Sequence, residues 1–413
     1  MDSVDAHTIG QQVRMIRRRR GLGLKIAADQ AGISKQYLSF LERGERGFNR
    51  RGLLEDLAEA LGCSVADLTG QPYHLPDRAM VGGRVALLGI SLALNDFGPD
   101  DVPYITPRPL DELVAWANIA NEHRDHGRFA LAANDLGMLL TELQAHAMTT
   151  GSADRARAFT ALVQSCILAG DVAQVLAGNA DLAISAARRA YDMARRYGDP
   201  GLIGFARWQW GLHLMRLTAR GRASRVLTAG IDELAPSVSL RGEDTFAAEG
   251  LGFVHLASAQ CAARGKRHDD AQAHLAEAGE IATRLGECNG MRMHFGPTNV
   301  AVWQLGIGVE LGEGGRAYEV ATRMPLDVAA LNSKDRSSAL HFDLTRALVQ
   351  EGSNRDTEAI RHLDTADRLA PQRIRMDPIA RDLVLTLDRR APRRVWELDS
   401  LRNRFGLSKV NKP

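Results

Sequence analysis

The segment from Leu24 to Gly44 constrains this chain more than any other. It reads as two short amphipathic helices that meet at Gly32. A glycine there supplies the positive φ angle that a tight turn between helices requires. Ser34 follows at an N-cap position, its hydroxyl free to accept from the amides of the next turn. Ile33, Leu38 and Leu41 fall on the inner face of the second helix. Lys35, Gln36 and Ser39 fall on the outer one.

Charge is uneven around this segment. Between Thr8 and Gly52 eleven basic residues face only Asp29, Glu42 and Glu45, although the whole chain carries a net charge of +2. A basic module on a mildly acidic body suits phosphate contact by one end of the molecule. A polar, basic helix start on a packed helix pair suits the major groove of DNA.

Residues 9–70 resemble the XRE (Cro/C1-type) helix-turn-helix family. Tyr37-Leu38-Ser39-Phe40-Leu41-Glu42-Arg43-Gly44 is similar to its Y-L-S-x-L-E-R-G segment. Leu61-Gly62-Cys63-Ser64 followed by Leu68 is similar to its closing A-L-G-V-S-x-x-x-L segment. The resemblance implies that Lys35 and Gln36 open the recognition helix and reach base edges, glutamine on adenine and lysine on guanine or a phosphate. Ser39 shares that face, and Tyr37 is expected at the DNA backbone. Phe40 stands where the family carries a polar or basic residue. It either touches a thymine methyl or folds back onto the domain or a dimer partner. Arg17 and Arg18, in the basic block that ends the first helix, are expected on phosphates, as are Arg43, Arg46, Arg50 and Arg51 around the loop after the recognition helix. The alternative for the block is a solvated helix end that complements the macrodipole. Ala27 stands where a leucine is common, so a slightly underfilled core is expected.

At 413 residues, rich in alanine, leucine and arginine with 14 prolines, the chain is expected to be all-α with more than one domain. The expected division is a five-helix DNA-binding domain over 1–70, a linker and helix start over 71–84, and a helical-repeat domain over 85–413. Gly70-Gln71-Pro72-Tyr73-His74-Leu75-Pro76 breaks the helical pattern and marks the linker. Beyond it a small-x-x-x-bulky-x-x-small spacing recurs at Ala187, Tyr191 and Ala194, at Ala271, Leu275 and Ala278, and at Ala359, Leu363 and Ala366. Ala317, Ala321 and Met324 fit less well. Glycines at 127, 221, 265 and 352 are expected at the turns between paired helices. That pattern is tetratricopeptide-like, and stacking such pairs gives a superhelix.

The whole layout resembles an actinobacterial group of XRE regulators with a tetratricopeptide-like C-terminal domain. The resemblance is carried by Gly70-Gln71-Pro72-Tyr73, Phe295-Gly296-Pro297-Thr298-Asn299-Val300, Glu310-Leu311-Gly312, Leu369-Ala370-Pro371 and Arg381-Asp382-Leu383. It implies a sequence-specific transcriptional regulator, with double-stranded DNA as partner. Its repeats are expected to dimerise and to sense a peptide or small-molecule effector. The alternative is a DNA-tethered protein–protein adaptor without a small ligand.

Candidate ligand residues are Asn118, Asn121 and Asn134 in the first hairpins, since asparagines on inner helices of such repeats hold peptide backbones. Arg292, His294 and Asn299 around the Phe295–Asn299 segment are the others. The plainer reading of that segment is a helix entry whose proline presets φ. Trp208 and Trp210 are read as core. His123 and His126 lie three apart but lack a third ligand, so no metal or other cofactor is expected. Cys63, Cys166, Cys261 and Cys288 lack metal or redox spacing and fit a reducing cytoplasm. No run approaches the ~20 apolar residues of a membrane span, and no nucleophile elbow or phosphate-cradling loop points to an enzyme.

Overall fold

The protein is described by a computed structural model over residues 8–73, 78–238, 245–324, 328–393 and 395–407. His74, Leu75 and Pro76 of the expected linker lie outside the described residues.

The chain is all-α. Five helices open it: α1 (Ile9–Arg19), α2 (Leu24–Gln30), α3 (Lys35–Arg43), α4 (Arg51–Leu61) and α5 (Val65–Thr69). Thr8 and Gln11 form a capping box at α1. Gly32 turns the chain between α2 and α3 at φ +63°. Ser34 then caps α3 by accepting from the Tyr37 amide at 3.1 Å, so the sequence sets the start of α3 locally. Val13, Ala27, Leu38, Leu41 and Leu57 make the apolar centre of this bundle.

Helices α6 (Arg78–Asn95), α7 (Leu110–Asp125), α8 (Phe129–Ala132) and α9 (Leu136–Thr149) begin the larger part. Antiparallel pairs follow. The inner members are α10 (Ser152–Ala177), α12 (Pro200–Arg216), α14 (Thr245–Arg264), α16 (Pro297–Leu311) and α18 (Lys334–Gln350). Their outer partners are α11 (Ala180–Tyr197), α13 (Arg220–Leu234), α15 (His268–Leu285), α17 (Gly314–Arg323) and α19 (Asp356–Leu369). Each inner helix packs on its partner and on the next inner helix. Ala187, Ala194, Ala271, Ala278, Ala359, Leu363 and Ala366 are buried on the outer members, where small residues let the helices approach.

Two turn residues differ from expectation. Gly221 lies inside α13, and Thr218 takes the positive φ instead; Lys266, not Gly265, does so before α15.

Helices α20 (Pro371–Met376), α21 (Pro378–Arg390) and α22 (Trp396–Phe405) end the described chain. Here the superhelix closes on itself: α20 packs on α8 and α10, and α18 packs on α7. The Ala130 amide donates to Gln372 Oε1 at 2.9 Å across this closure. The inner helices thus surround a central cavity. The first five helices seat against the ring, and Phe48 and Leu57 share one apolar core with Val309, Leu344, Leu383 and Leu387.

One helix corrects the sequence reading. Asp154–Ala177, 24 residues within α10, is long and apolar enough to cross a membrane, but 78% of its apolar window is buried inside the protein. It is the core helix of the first pairs, packed on α9 and α11.

Candidate nucleic-acid interface

The N-terminal end of α3 faces outward. Lys35 and Gln36 are exposed, and Ser39 is half-buried with its hydroxyl bound by Arg43. What fixes this helix is a buried clamp. Arg17 on α1 donates from Nε to Glu42 Oε1 at 2.6 Å and from Nη2 to Oε2 at 2.8 Å, and from Nη1 to the Leu22 carbonyl at 2.8 Å. Its hydrogen bonds to Glu42 hold the Arg17 guanidinium charged, its pKa raised against the opposing effect of burial.

That clamp corrects one expectation. Arg17 is 9% exposed and cannot reach a phosphate, because its donors are taken up inside the bundle by Glu42 of α3 and by the Leu22 carbonyl. Arg51 is a second correction: its guanidinium pairs with Asp377 at 2.5 Å, on the face of α4 turned to the ring. Arg18, Arg46 and the neighbouring Arg14 and Arg19 are exposed. Arg43 is exposed but is held by Glu45 and lies 5.3 Å over the Phe40 ring. Phe40 is half-buried and lines a shallow groove with Gly352, Ser353 and Arg390. Tyr37 is half-buried in an adjoining groove with Arg46, Arg50 and Gln350. Ala27 is fully buried.

The helix-turn-helix unit is seated by polar contacts that the sequence did not reveal. Glu310 of α16 accepts from the Arg51 and Gly52 amides, both at 3.1 Å, and so caps α4 from outside. Burial opposes the Glu310 charge, but Arg346, Arg264 and these amides hold its carboxyl below the usual range. Arg346 donates to the Asn49 carbonyl at 2.8 Å, and Asp382 accepts from the Phe48 amide at 2.8 Å. Arg264 pairs with Glu55 at 2.8 Å, both side chains buried.

The candidate ligand residues are mostly structural. Asn299 is fully buried and donates to the Met293 and His294 carbonyls, fastening the loop before α16. Arg292 and His294 adopt positive φ there. The Arg292 carbonyl accepts from Arg124, and His294 pairs with Asp125 at 3.1 Å. Asn121 is buried and donates to its own helix at Ala117. Asn118 is half-buried on α7, and Asn134 is exposed in the turn before α9. Of these six residues only His294 lines the central cavity.

That cavity, about 210 Å³, is lined by the inner helices and reaches Arg51 of α4. Trp208, read from sequence as core, forms part of its wall. The sequence reading missed its arginines, which carry a signal: Arg124, Arg216 and Arg264 each sit in the last turn of α7, α12 or α14. A second cavity, about 190 Å³, lies between α4–α5 and the ring and shares Arg51, Arg216, Arg264, Arg373 and Asp377 with the first. Among the described residues no group of three or more metal-ligating side chains is found.

A five-helix bundle with a capped, outward-facing third helix is the build of a DNA-binding helix-turn-helix domain. Residues 8–69 match the family described as Helix-turn-helix domain. The competence pilus inhibition repressor of Acinetobacter baylyi is 40% identical over 60 residues, which is 14% of this chain and 54% of that protein. This chain therefore spans about half the length of that curated relative. The crystal structure of Bacillus thuringiensis PlcR in complex with the peptide PapR7 and DNA is 14% identical, over 68% of this chain and 96% of that one, with a TM-score of 0.28. A likeness that low carries no argument about this chain.

Proposed function

We propose that this chain is a sequence-specific DNA-binding transcriptional regulator of the XRE (Cro/C1) type and of the actinobacterial repeat-bearing group. It reads DNA with α3, acts in the cytoplasm as a homodimer, and senses a peptide or small-molecule effector through its helical ring. Residues 1–70 serve DNA, 71–84 connect, and 85–413 dimerise and sense. The observation that carries the reading is the exposed Lys35 and Gln36 at the capped start of α3, held in register by the Arg17–Glu42 clamp.

One helix-turn-helix unit buries little DNA surface, and a dimer reads two half-sites. Helix α6 supports the dimer. Val81, Val85, Leu88 and Leu92 are 56%, 63%, 68% and 67% exposed. Their alternating steps of four and three residues form a heptad seam. Leu131 and Met138, on α8 and α9 that pack against α6, are exposed as well. Such a stripe is self-complementary about a twofold axis.

The test is binding to a DNA fragment selected by the wild-type protein. Lys35→Ala or Gln36→Ala is expected to cost about 1–3 kcal/mol on that fragment and to relax base preference, while Arg18→Ala weakens all sequences alike and lowers the salt slope. Unchanged discrimination in the Lys35 and Gln36 variants contradicts the assignment of α3.

A further inference from the structure

Most charges in the central cavity are matched. Arg51, Arg124, Arg264, Arg346 and Arg373 each hold a carboxylate. Arg216 and Arg336 also line the wall, and neither guanidinium has a hydrogen-bond or ion-pair partner among the described residues. Asp171 also lines the wall without such a partner, and Arg346 holds Asp343 as well as Glu310, so the wall is close to neutral in formal charge and is set apart by two guanidiniums that bond no carboxylate. The indole Nε1 atoms of Trp208 and Trp303 and the Gln209 Oε1 are buried on the same wall, likewise without partners. A folded chain rarely leaves so many buried polar atoms unsatisfied together. Unpaired charge and orphan donors beside aromatic rings describe a wall shaped for a ligand.

We propose that the central cavity binds a small organic anion, a carboxylate or a phosphate ester with an aromatic body, whose charge is held by Arg216 and Arg336 and whose ring lies against Trp208 and Trp303. Guanidinium forks suit both oxyanions. The volume, about 210 Å³, exceeds the 150 Å³ or so that accommodates benzene in an engineered cavity, so a one-ring acid fits. Burial and the neighbouring Arg51, Arg264 and Arg373 push the Arg216 pKa down to about 9. An anion at Arg216 offsets that crowding, and Arg51 belongs to α4, so the ligand also favours the seated arrangement of the DNA-binding helices.

The inference gives a ligand class to the sensing role proposed above, and its test contains no DNA. Failure here therefore leaves the DNA reading standing. The thermal midpoint of the full chain is followed against benzoate, phenyl phosphate and uncharged benzyl alcohol at constant ionic strength. A saturable rise with benzoate identifies a carboxylate site, and one with phenyl phosphate a phosphate-ester site. Benzyl alcohol is expected to do nothing. Arg216→Met and Arg336→Met are each expected to weaken the response about ten- to a hundredfold, the value of one charge-assisted hydrogen bond. Arg196→Gln, at an exposed arginine outside the cavity, keeps the response. Without probe, Arg216→Met is expected to melt no lower than wild type, since it removes a guanidinium that has no partner and is crowded by Arg51, Arg264 and Arg373. No rise with either anion, an equal rise with benzyl alcohol, an intact response in Arg216→Met, or a lower midpoint of that variant alone overturns the proposal.

Discussion

Two arginines one position apart show how burial divides labour at the residue scale. Arg17 and Arg18 belong to one basic run, yet Arg17 locks α1 to α3 and Arg18 faces solvent. Breaking a buried ion pair from one side strands the other charge, at a cost of about 3–5 kcal/mol. Arg17→Ala is therefore expected to lose about that much stability in urea unfolding, whereas Arg18→Ala loses almost none. A loss below about 1 kcal/mol for Arg17→Ala contradicts the clamp. The outward position of Lys35 and Gln36 was legible because it follows from helix period and the Ser34 cap alone. The inward position of Arg17 was not, since it depends on Glu42, 25 residues further on. Asn299 was misread for a related reason. Its amide nitrogen serves the backbone of its own loop, and only the fold of Met293 and His294 shows that.

Elements show the same limit. The pairing of helices was legible from recurring alanines, because small residues at helical spacing mark close approach. At one place the approach is extreme. A Cβ on Gly137 of α9 would lie 2.3 Å from the Gly89 carbonyl of α6, so the two helices meet backbone to backbone and turn the α6 stripe outward. Burying a Leu or Val side chain stabilises by about 1.5–3 kcal/mol, so four on each copy would make a firm seam in the proposed dimer. Leu88→Asp is expected to give a monomer by light scattering and to weaken binding to two-half-site DNA. A variant that stays dimeric contradicts α6 as the interface.

Two hairpins also carry matched histidine contacts. His255 Nδ1 lies 3.1 Å from His274 Nδ1 in the α14–α15 pair, and His341 Nδ1 lies 2.9 Å from His362 Nδ1 in the α18–α19 pair. Burial, then the partner ring, pushes His255 and His341 down to about 4. A histidine whose folded pKa lies below its unfolded value stabilises at neutral pH, and that stability is lost as pH falls from about 6.5 through about 4. The thermal midpoint is expected to fall between pH 7 and pH 5, less steeply in His255→Leu/His341→Leu. Equal slopes in the two proteins contradict this source of acid sensitivity.

The whole molecule is a ring of helices with a DNA-reading unit seated on it. A helical superhelix was legible from local spacing, but its closure was not, because contacts such as Ala130 with Gln372 join residues 242 apart. The seating of the first five helices was equally hidden, since Glu310, Arg346 and Asp382 look like ordinary solvated charges in sequence. With one apolar core running from Phe48 to Leu387, the DNA-reading helix moves with the ring. In the proposed dimer a change in the ring would change the spacing of the two recognition helices, the route by which the proposed effector would alter half-site choice.

Capture of fragmented genomic DNA at near-physiological salt, by the wild-type protein beside a Lys35→Ala/Gln36→Ala variant, tests the central claim most directly. The account predicts one shared motif with two related half-sites in the wild-type capture and its loss in the variant, which retains only diffuse, salt-sensitive binding. The same motif recovered at equal strength by both proteins would contradict it.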